Sequence, residues 1–193
     1  MSSERADGQP SHDTVRIRSV DAEEAGQRLD ELTTVLRDAV DSGSSINFLD
    51  HATDDDLAAF WRSSVEDLAA GNRVLIVADT GTQYVGTAMV VFASQQNSRH
   101  RADVAKMIVH RAYQRRGIAS QLLVAIDAVA LAHGRTLLML DTETDSAGEH
   151  LYAANGWIRF GEVPGHAHSP DGTLKPTTFF YRVLEPPLTG SAP

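Results

Sequence analysis

Residues 104–120, VAKMIVHRAYQRRGIAS, contain the pattern from which the fold is best predicted. The apolar run from Val104 to Val109 predicts a strand, and the amphipathic segment that begins at Ile118 predicts a helix. The turn between them, residues 114–117, is basic and contains a glycine. A helix that starts directly after such a turn leaves several backbone N–H groups without acceptors, at the positive end of the helix dipole. This arrangement is typical of an anion-binding site.

An ordinary solvated helix start is the other interpretation of this turn, with Arg115 and Arg116 facing water. On the local pattern alone, both interpretations stay open. The phosphate-binding patterns GxxxxGK[ST] and GxGxxG do not occur in the sequence. Their absence argues against the common nucleoside triphosphate and dinucleotide sites.

The length and composition predict one globular domain. The chain has 193 residues, of which 42% are hydrophobic, and this is enough to bury a core. We expect the domain to span residues 14–185, with polar, flexible tails at residues 1–13 and 186–193. The sequence has no cysteine, so disulfides, thiolate metal sites and a cysteine nucleophile are excluded.

The charge of the chain bears on its partners. The formal net charge is -9, which disfavours binding to nucleic acid and suits a cationic partner, although it also simply favours solubility. No apolar run reaches the roughly 18 residues of a membrane span, and the first residues do not resemble a signal peptide. We therefore expect a cytoplasmic protein without a membrane partner, either a monomer or a homodimer.

The remaining sequence predicts a mixed α/β chain. Strands are predicted at residues 15–20, 74–78, 84–93, 104–109, 136–140, 157–163 and 178–184. Helices are predicted at residues 22–40, 53–70, 117–133 and 146–155. The strands at 104–109 and 136–140 flank a helix, so they are predicted to be parallel neighbours. Residues 164–177, rich in Pro, Gly and His, are predicted to form a loop.

Two short motifs resemble those of the GNAT superfamily of N-acetyltransferases. Residues 114–119, QRRGIA, resemble its acetyl-CoA signature Q/R-x-x-G-x-G/A, and residues 151–157, LYAANGW, resemble its LYxxxGF element. The order of predicted elements over residues 14–185 agrees with the family. The resemblance implies the GNAT fold, a mixed and mostly antiparallel sheet with a splayed parallel strand pair, flanked by about four helices.

The resemblance also implies an acetyl-CoA cleft and no metal. Backbone N–H groups of residues 115–120 are expected to hold the pyrophosphate, while Met107 and Val109 line the pantetheine and acetyl group. A backbone N–H near Val109 is expected to polarise the thioester carbonyl. Asp145 stands where the family usually has asparagine at a helix start. The implied cofactor-binding residues are Met107, Ile108, Val109, Gln114, Arg115, Arg116, Gly117, Ile118, Ala119, Ser120, Ser146 and Tyr152.

Transfer of an acetyl group to an amine requires proton transfers. An ammonium has no lone pair and must lose a proton, and the departing thiolate gains one from an acid. The resemblance implies Tyr152 as the acid, with packing of its ring in the core as the alternative. Asp103 and Asp141 are candidates to take the proton or to bind the cationic amine, with turn capping as the alternative. Their positions at opposite ends of the predicted strands do not require contact between them.

Three longer stretches resemble the antibiotic-inactivating branch of the family. These are residues 43–61, 140–157 and 161–177, which are similar to tabtoxin resistance protein and to kasugamycin-type aminoglycoside N-acetyltransferases. Tabtoxin resistance protein has Glu at the position of Asp103, and the shorter side chain here favours a water relay. The implied acceptor is a primary amine of a small hydrophilic antibiotic, kasugamycin first and tabtoxinine-β-lactam second.

The implied acceptor pocket combines several parts of the chain. Its expected residues are Ser45, Asn47, Phe48, Trp61, Asp103, Asp141, Glu143 and His168. Core packing is the alternative for Trp61, and His166 with His168 lacks the third ligand of a metal site. The alternative acceptors are another metabolite, a polyamine or a protein amine. A non-catalytic CoA-binding sensor is the alternative from another class.

Overall fold

The structure, a computed structural model, describes residues 14–185, so the two predicted tails lie outside the described residues. Within this range the chain forms five α-helices: α1 (Ala22–Gln27), α2 (Leu29–Asp41), α3 (Asp54–Ala69), α4 (Ile118–Ala132) and α5 (Ala147–Ala154). Its strands are β1 (Arg16–Val20), β2 (Arg73–Asp79), β3 (Tyr84–Phe92), β4 (Arg101–Val109), β5 (Leu137–Glu143), β6 (Ile158–His168) and β7 (Leu174–Val183). Among the described helices, none has the length and apolar character needed to span a bilayer.

The seven strands form one sheet in the order β1-β2-β3-β4-β5-β7-β6. Only β4 and β5 run parallel; each of the other neighbouring pairs is antiparallel. The parallel pairing covers residues 101–103 of β4 and 137–139 of β5, and beyond it the two strands separate. The predicted fold class is therefore confirmed, including the splayed parallel pair.

Helices cover both faces of the sheet. On one face, α4 and α5 pack over the central strands and bury Leu122, Ile126 and Phe180. On the other face, α2 and α3 pack over β2, β3 and β4 and bury Leu36 and Trp61, and α1 packs against these two helices. Side chains alternate between these faces along the regular parts of each strand, and the irregularity of β4 at Lys106 interrupts this alternation.

The prediction of a single helix at residues 22–40 is wrong, because the chain leaves the helical conformation at Arg28 (φ -111°, ψ 30°). The Arg28 guanidinium pairs with Glu31 and Asp79 and lies 3.7 Å from the centre of the Tyr84 ring. These partners lie on the neighbouring helix and on β2 and β3. Tertiary contacts at Arg28 accompany the helix break, and a local apolar pattern does not reveal them.

Two predicted boundaries at the sheet also require correction. Strand β5 continues to Glu143, so Asp141 lies within the strand and not after it. The predicted loop at residues 164–177 is a continuation of the β6–β7 hairpin, which places His166 and His168 on a strand. The register shifts between Val163 and Ala167, and the irregularity hides the alternation by which a strand is predicted.

Candidate active site

The splay between β4 and β5 opens a cleft of about 460 Å³. The end of β4 and the following turn line it, together with α5, and α2 and the next loop contribute Ala39, Ser42, Ser44 and Ile46. The predicted cofactor-binding residues that line the cleft are Met107, Ile108, Val109, Gln114, Arg115, Gly117, Ile118, Ala119, Ser120 and Tyr152. Arg116 and Ser146, also predicted, are not among the lining residues.

The anion-binding feature of the cleft is the start of α4. Gly117 caps this helix in the left-handed conformation (φ 76°), which glycine adopts without strain. The Gln121 N–H donates to the Gly117 carbonyl at 3.1 Å, which makes it the first helical hydrogen bond. The N–H groups of residues 118–120 therefore have no acceptor within the helix, and all three residues line the cleft. This geometry suits a phosphate group.

Two side chains of the turn before α4 stabilise that turn by hydrogen bonds to nearby backbone carbonyls. The Gln114 side-chain amide donates to the Val109 carbonyl at 3.0 Å. The Arg116 guanidinium donates to the Ala112 carbonyl at 3.0 Å and lies 4.9 Å from the centre of the Tyr113 ring. These two predicted residues thus support the turn, while the backbone of α4 offers the donors.

A buried carboxylate on α2 binds the segment that leads into this turn. Asp38 accepts a hydrogen bond from the Arg111 backbone N–H at 2.8 Å and another from the Arg111 guanidinium. The same carboxylate lies 3.5 Å from His110 Nε2. Asp38 therefore ties the helix on the acceptor side of the sheet to the segment that leads into the anion site.

Tyr152 lies in the wall of the cleft, on α5. Its side chain is buried between Trp157 and Phe180, with ring centres 5.9 and 6.0 Å away. Burial raises the pKa of the Tyr152 hydroxyl, and the negative charge of Asp141 raises it further. The hydroxyl therefore keeps its proton over the ordinary pH range. The ring packs in the core, as the alternative interpretation expects, and the same residue also borders the cleft.

The helix that carries Tyr152 approaches β5 closely at Gly148. A Cβ atom at this position would lie 2.8 Å from Thr142 Oγ1 and 3.6 Å from the Tyr152 ring. The helix begins at Ser146, whose hydroxyl accepts a hydrogen bond from the Glu149 N–H and lies 3.2 Å from Thr142 Oγ1. The hydroxyl predicted to bind cofactor is thus used to start the helix.

Asp103 and Asp141 lie on the same face of the sheet, one on each side of the splay. Ala102 and Val104 are buried under α4, so Asp103 between them faces the opposite side. Asp103 pairs with Met139 in register, two residues before Asp141. Desolvation raises the pKa of Asp103, Arg101 lowers it, and the charge of Asp141 raises it. The structure therefore brings the two carboxylates together, which the sequence pattern did not require.

Lys106 is a buried cation on this same side of β4. It occupies an irregular position of the strand with φ 50°, where the register against β3 shifts. Its ammonium donates to the Ile46 carbonyl at 3.0 Å and lies 4.8 Å from the centre of the Phe60 ring and 5.8 Å from that of Phe48. Burial lowers the pKa of Lys106 to about 8, against the opposing effect of Asp141.

The loop between α2 and α3 contributes part of the predicted acceptor pocket. Phe48 packs edge to face against Phe60 at 5.7 Å, and Asn47 adopts a positive φ of 68°. Ser45 lies in the same loop, between two residues that line the cleft. Trp61, in contrast, has no exposed side-chain surface and packs in the core. Phe60, the residue before it on α3, is partly buried and faces Lys106.

The turn of the β6–β7 hairpin reaches the same region. The Ser169 hydroxyl donates to Glu143 at 2.6 Å, so this predicted acceptor residue is engaged within the protein. The Asp50 N–H donates to the Pro170 carbonyl at 2.9 Å, which joins the hairpin turn to the loop after α2. His168 is exposed, directly before Ser169. The acceptor side is therefore bounded by segments far apart in the sequence.

Sequence reasoning missed two residues of this site. Asp38 lies on the apolar stripe of a helix, and nothing nearby in the sequence marks it as the partner of Arg111. Lys106 did carry a signal, because it is one of only two lysines among the 17 cationic residues and interrupts an apolar strand. A cation within a buried strand is rare unless it has a specific role.

With this geometry established, residues 71–159 match the family model described as the acetyltransferase (GNAT) domain. Over these residues the chain is similar to a GNAT acetyltransferase domain, in agreement with the predicted enzyme class. The match includes the whole of β4, the anion-binding turn, α4 and α5.

Solved structures of low sequence identity share the fold. An N-acetyltransferase from Staphylococcus aureus is 18% identical, with a TM-score of 0.72 over 89% of this chain and 99% of that one. The YncA protein of Salmonella typhimurium, whose structure contains its cofactor acetyl-CoA, is 18% identical, with a TM-score of 0.70 over 93% and 98%. A ribosomal-protein-alanine N-acetyltransferase from Brucella melitensis is 20% identical, with a TM-score of 0.71 over 88% and 99%.

Proposed function

We propose that this chain is an acetyl-CoA-dependent N-acetyltransferase that modifies a primary amine of a small hydrophilic molecule. The arrangement of the cleft is the observation that carries the proposal. Unpaired backbone donors at the start of α4 lie at one part of the cleft, Tyr152 lies in its wall, and two carboxylates face the acceptor side. A phosphate-bearing donor and a cationic acceptor fit these features together.

The residues of the cleft fit acetyl-CoA. Backbone N–H groups of residues 118–120 would hold the pyrophosphate, and Met107 and Val109 offer apolar surface to the pantetheine. When bound, acetyl-CoA supplies an acetyl thioester, the acyl donor of the reaction. A backbone N–H near Val109 would stabilise the negative charge that develops on the carbonyl oxygen. The acetyl-CoA bound to the YncA protein supports this assignment.

Asp103 and Asp141 prepare the amine. Their carboxylates bind the ammonium by charge-assisted hydrogen bonds and accept its proton, directly or through a water molecule. The raised pKa of Asp103 favours this proton transfer, because it brings the carboxyl group closer in basicity to the amine. The deprotonated nitrogen then forms a bond to the acetyl carbon.

Tyr152 completes the transfer as the acid. As the carbon–sulfur bond breaks, the thiolate that leaves takes a proton from the Tyr152 hydroxyl. The raised pKa of Tyr152 ensures that this proton is present at the start of each turnover. Formation of the amide releases a second proton from the nitrogen, so two protons leave it in all. One of them restores the Tyr152 hydroxyl, the other goes to solvent, and the products are the N-acetylated acceptor and the free thiol of CoA.

An antibiotic is the acceptor that we propose. The three stretches that resemble the antibiotic-inactivating branch contribute the loop after α2, β5 with α5, and the β6–β7 hairpin, all of which border the acceptor side. Kasugamycin is the first candidate and tabtoxinine-β-lactam the second. The acidic acceptor face, with Asp103 and Asp141, suits the amine of either class.

Release of free CoA thiol tests the proposal. Purified protein is incubated with acetyl-CoA and amine antibiotics, polyamines, amino acids and peptides with a free N-terminus, and the thiol is followed by absorbance. We expect release with an antibiotic and an acetylated product by mass spectrometry. Release only with polyamines or peptides assigns a metabolite or protein acceptor. Binding of acetyl-CoA without release from any acceptor replaces the enzyme with a CoA sensor.

A further inference from the structure

Lys106 holds a charge that the proposed reaction does not use. It is one of two lysines in the chain, and its exposure is only 9%. Its Nζ atom makes one hydrogen bond, to the Ile46 carbonyl at 3.0 Å. An ammonium has three N–H donors, so two remain available. The faces of Phe60 and Phe48 provide the other close contacts of the cation.

The buried charge has no contact ion pair within residues 14–185. No carboxylate in this range lies within 4.0 Å of Nζ, although Asp141 is close enough to affect the lysine electrostatically. Lysine is almost never buried without a partner, because removing the charge from water is costly. An anionic group that enters the acceptor side would be such a partner.

The position of Lys106 relates this anionic group to the acceptor amine. Lys106 and Asp103 face the same side of β4, and Asp141 faces that side from β5. The next residue, Met107, lines the cleft, and the hydrogen-bond partner Ile46 lines it from the opposite loop. A cation and two carboxylates therefore lie on one side of the sheet, next to residues that line the cleft. This distribution of charges is complementary to a zwitterion.

We propose that Lys106 determines acceptor specificity by binding a carboxylate that the acceptor carries near the amine to be acetylated. The inference rests on the proposed acetyltransferase function and narrows its substrate class. The amine is held by Asp103 and Asp141, and the carboxylate by Lys106. Acceptors of the amino-acid type are favoured over amines that lack an acidic group. Burial lowers the pKa of Lys106 to about 8, and a bound carboxylate would raise this pKa and help to keep the ammonium charged.

Matched acceptor pairs test the proposal kinetically. Amino acids and dipeptides are supplied as free acids and as C-terminal carboxamides, which differ in the charge that Lys106 would bind. We expect the wild-type protein to prefer the free acids by at least about tenfold in kcat/KM, since hydrogen bonds between charged groups are strong. Lys106→Gln should reduce the preference to about one, chiefly through KM, and Lys106→Arg should retain part of it.

Lys175→Gln is the matched control, because it removes the other lysine, on β7, and should leave the preference unchanged. Equal use of acid and carboxamide by the wild-type protein, or a preference that survives in Lys106→Gln, overturns the proposal. If no amine of any kind is acetylated, the proposed function fails first, and a binding measurement then decides about Lys106.

NMR provides that measurement on the wild-type protein. With lysine labelled selectively with ¹³C, the Hε–Cε spectrum contains two signals, and a spectrum of Lys175→Arg assigns them. Glycine and glycinamide are added in turn at equal ionic strength, in the presence of CoA, and the pH is varied. We expect glycine alone to raise the pKa of Lys106 and to leave Lys175 unchanged. The same response to both compounds, or to neither, overturns the proposal.

Discussion

The two halves of the cleft are built in different ways. The half that fits acetyl-CoA comes mainly from one stretch, residues 104–120, with α5 as its opposite wall, and the groups that it offers to a phosphate are backbone N–H groups. The half that faces the acceptor combines the loop after α2, strands β4 and β5, and the turn of the β6–β7 hairpin, and it presents side chains. Backbone donors serve a donor molecule that never changes. Side chains on separate segments allow the acceptor to differ from one relative to another.

The substitution with the largest expected effect is at the junction of the two halves. Tyr152→Phe removes the hydroxyl of the proposed acid and keeps the ring that packs against Trp157 and Phe180. We expect kcat to fall about 100-fold, which is at the lower end of the range for general acids. The Kd of acetyl-CoA, measured by calorimetry, should change little. An unchanged kcat would mean that Tyr152 only packs.

The next effect concerns the stability of the wall between the halves. Gly148→Ala places a Cβ atom 2.8 Å from Thr142 Oγ1, so α5 must move away from β5. We expect the free energy of unfolding to fall by about 2 kcal/mol, as for other overpacked sites, measured by chemical denaturation. Gly161→Ala on β6 is the control, because its added Cβ meets no atom within 4 Å. If the two variants unfold with the same free energy, α5 does not approach β5 closely at Gly148.

A smaller effect tests whether the acetyl-CoA half of the cleft depends on its attachment to α2. Asp38→Ala removes the acceptor of the Arg111 hydrogen bonds and frees the segment that leads into the anion site. We expect the Kd of acetyl-CoA to rise about tenfold, because correctly placed donors contribute through their positions. Asp30→Ala, on an exposed position of the same helix, is the control. If both variants bind acetyl-CoA equally well, the anion site is independent of α2.

The smallest expected effect is a pKa change, which tests whether Asp141 influences the ionisation of Asp103. Asp141→Asn removes the negative charge that raises the pKa of Asp103, so that pKa should fall. Asp103 must be ionised to bind an ammonium, and kcat/KM therefore rises with pH through its pKa. We expect this rise to occur at lower pH in the variant, measured with normalised pH profiles. Glu162→Gln on β6 is the control and should leave the pH dependence of kcat/KM unchanged. A rise at the wild-type pH would show that the two carboxylates act independently.

The donor half was predictable from sequence, and the acceptor half only in part. Residues 114–119 resemble a family signature and lie between a strand and a helix, so the structure follows from a local pattern. Asp103 and Asp141 were recognised individually, but their proximity depends on where the parallel pairing ends. For Trp61 the sequence left pocket and core open, and the structure places it in the core, because a helical pattern gives spacing without the orientation of the helix in the fold.

By itself, the sequence determined the order of the elements, the parallel pair and the backbone of the anion site, because each depends on regular side-chain spacing and on segments that follow one another directly along the chain. The tertiary structure alone decided the helix break at Arg28, the attachment of Asp38 to Arg111 and the burial of Lys106 within the electrostatic influence of Asp141. These features join segments 50 or more residues apart or depend on what covers a strand. Their energies come from desolvation and charge pairing across such distances, which no local pattern contains.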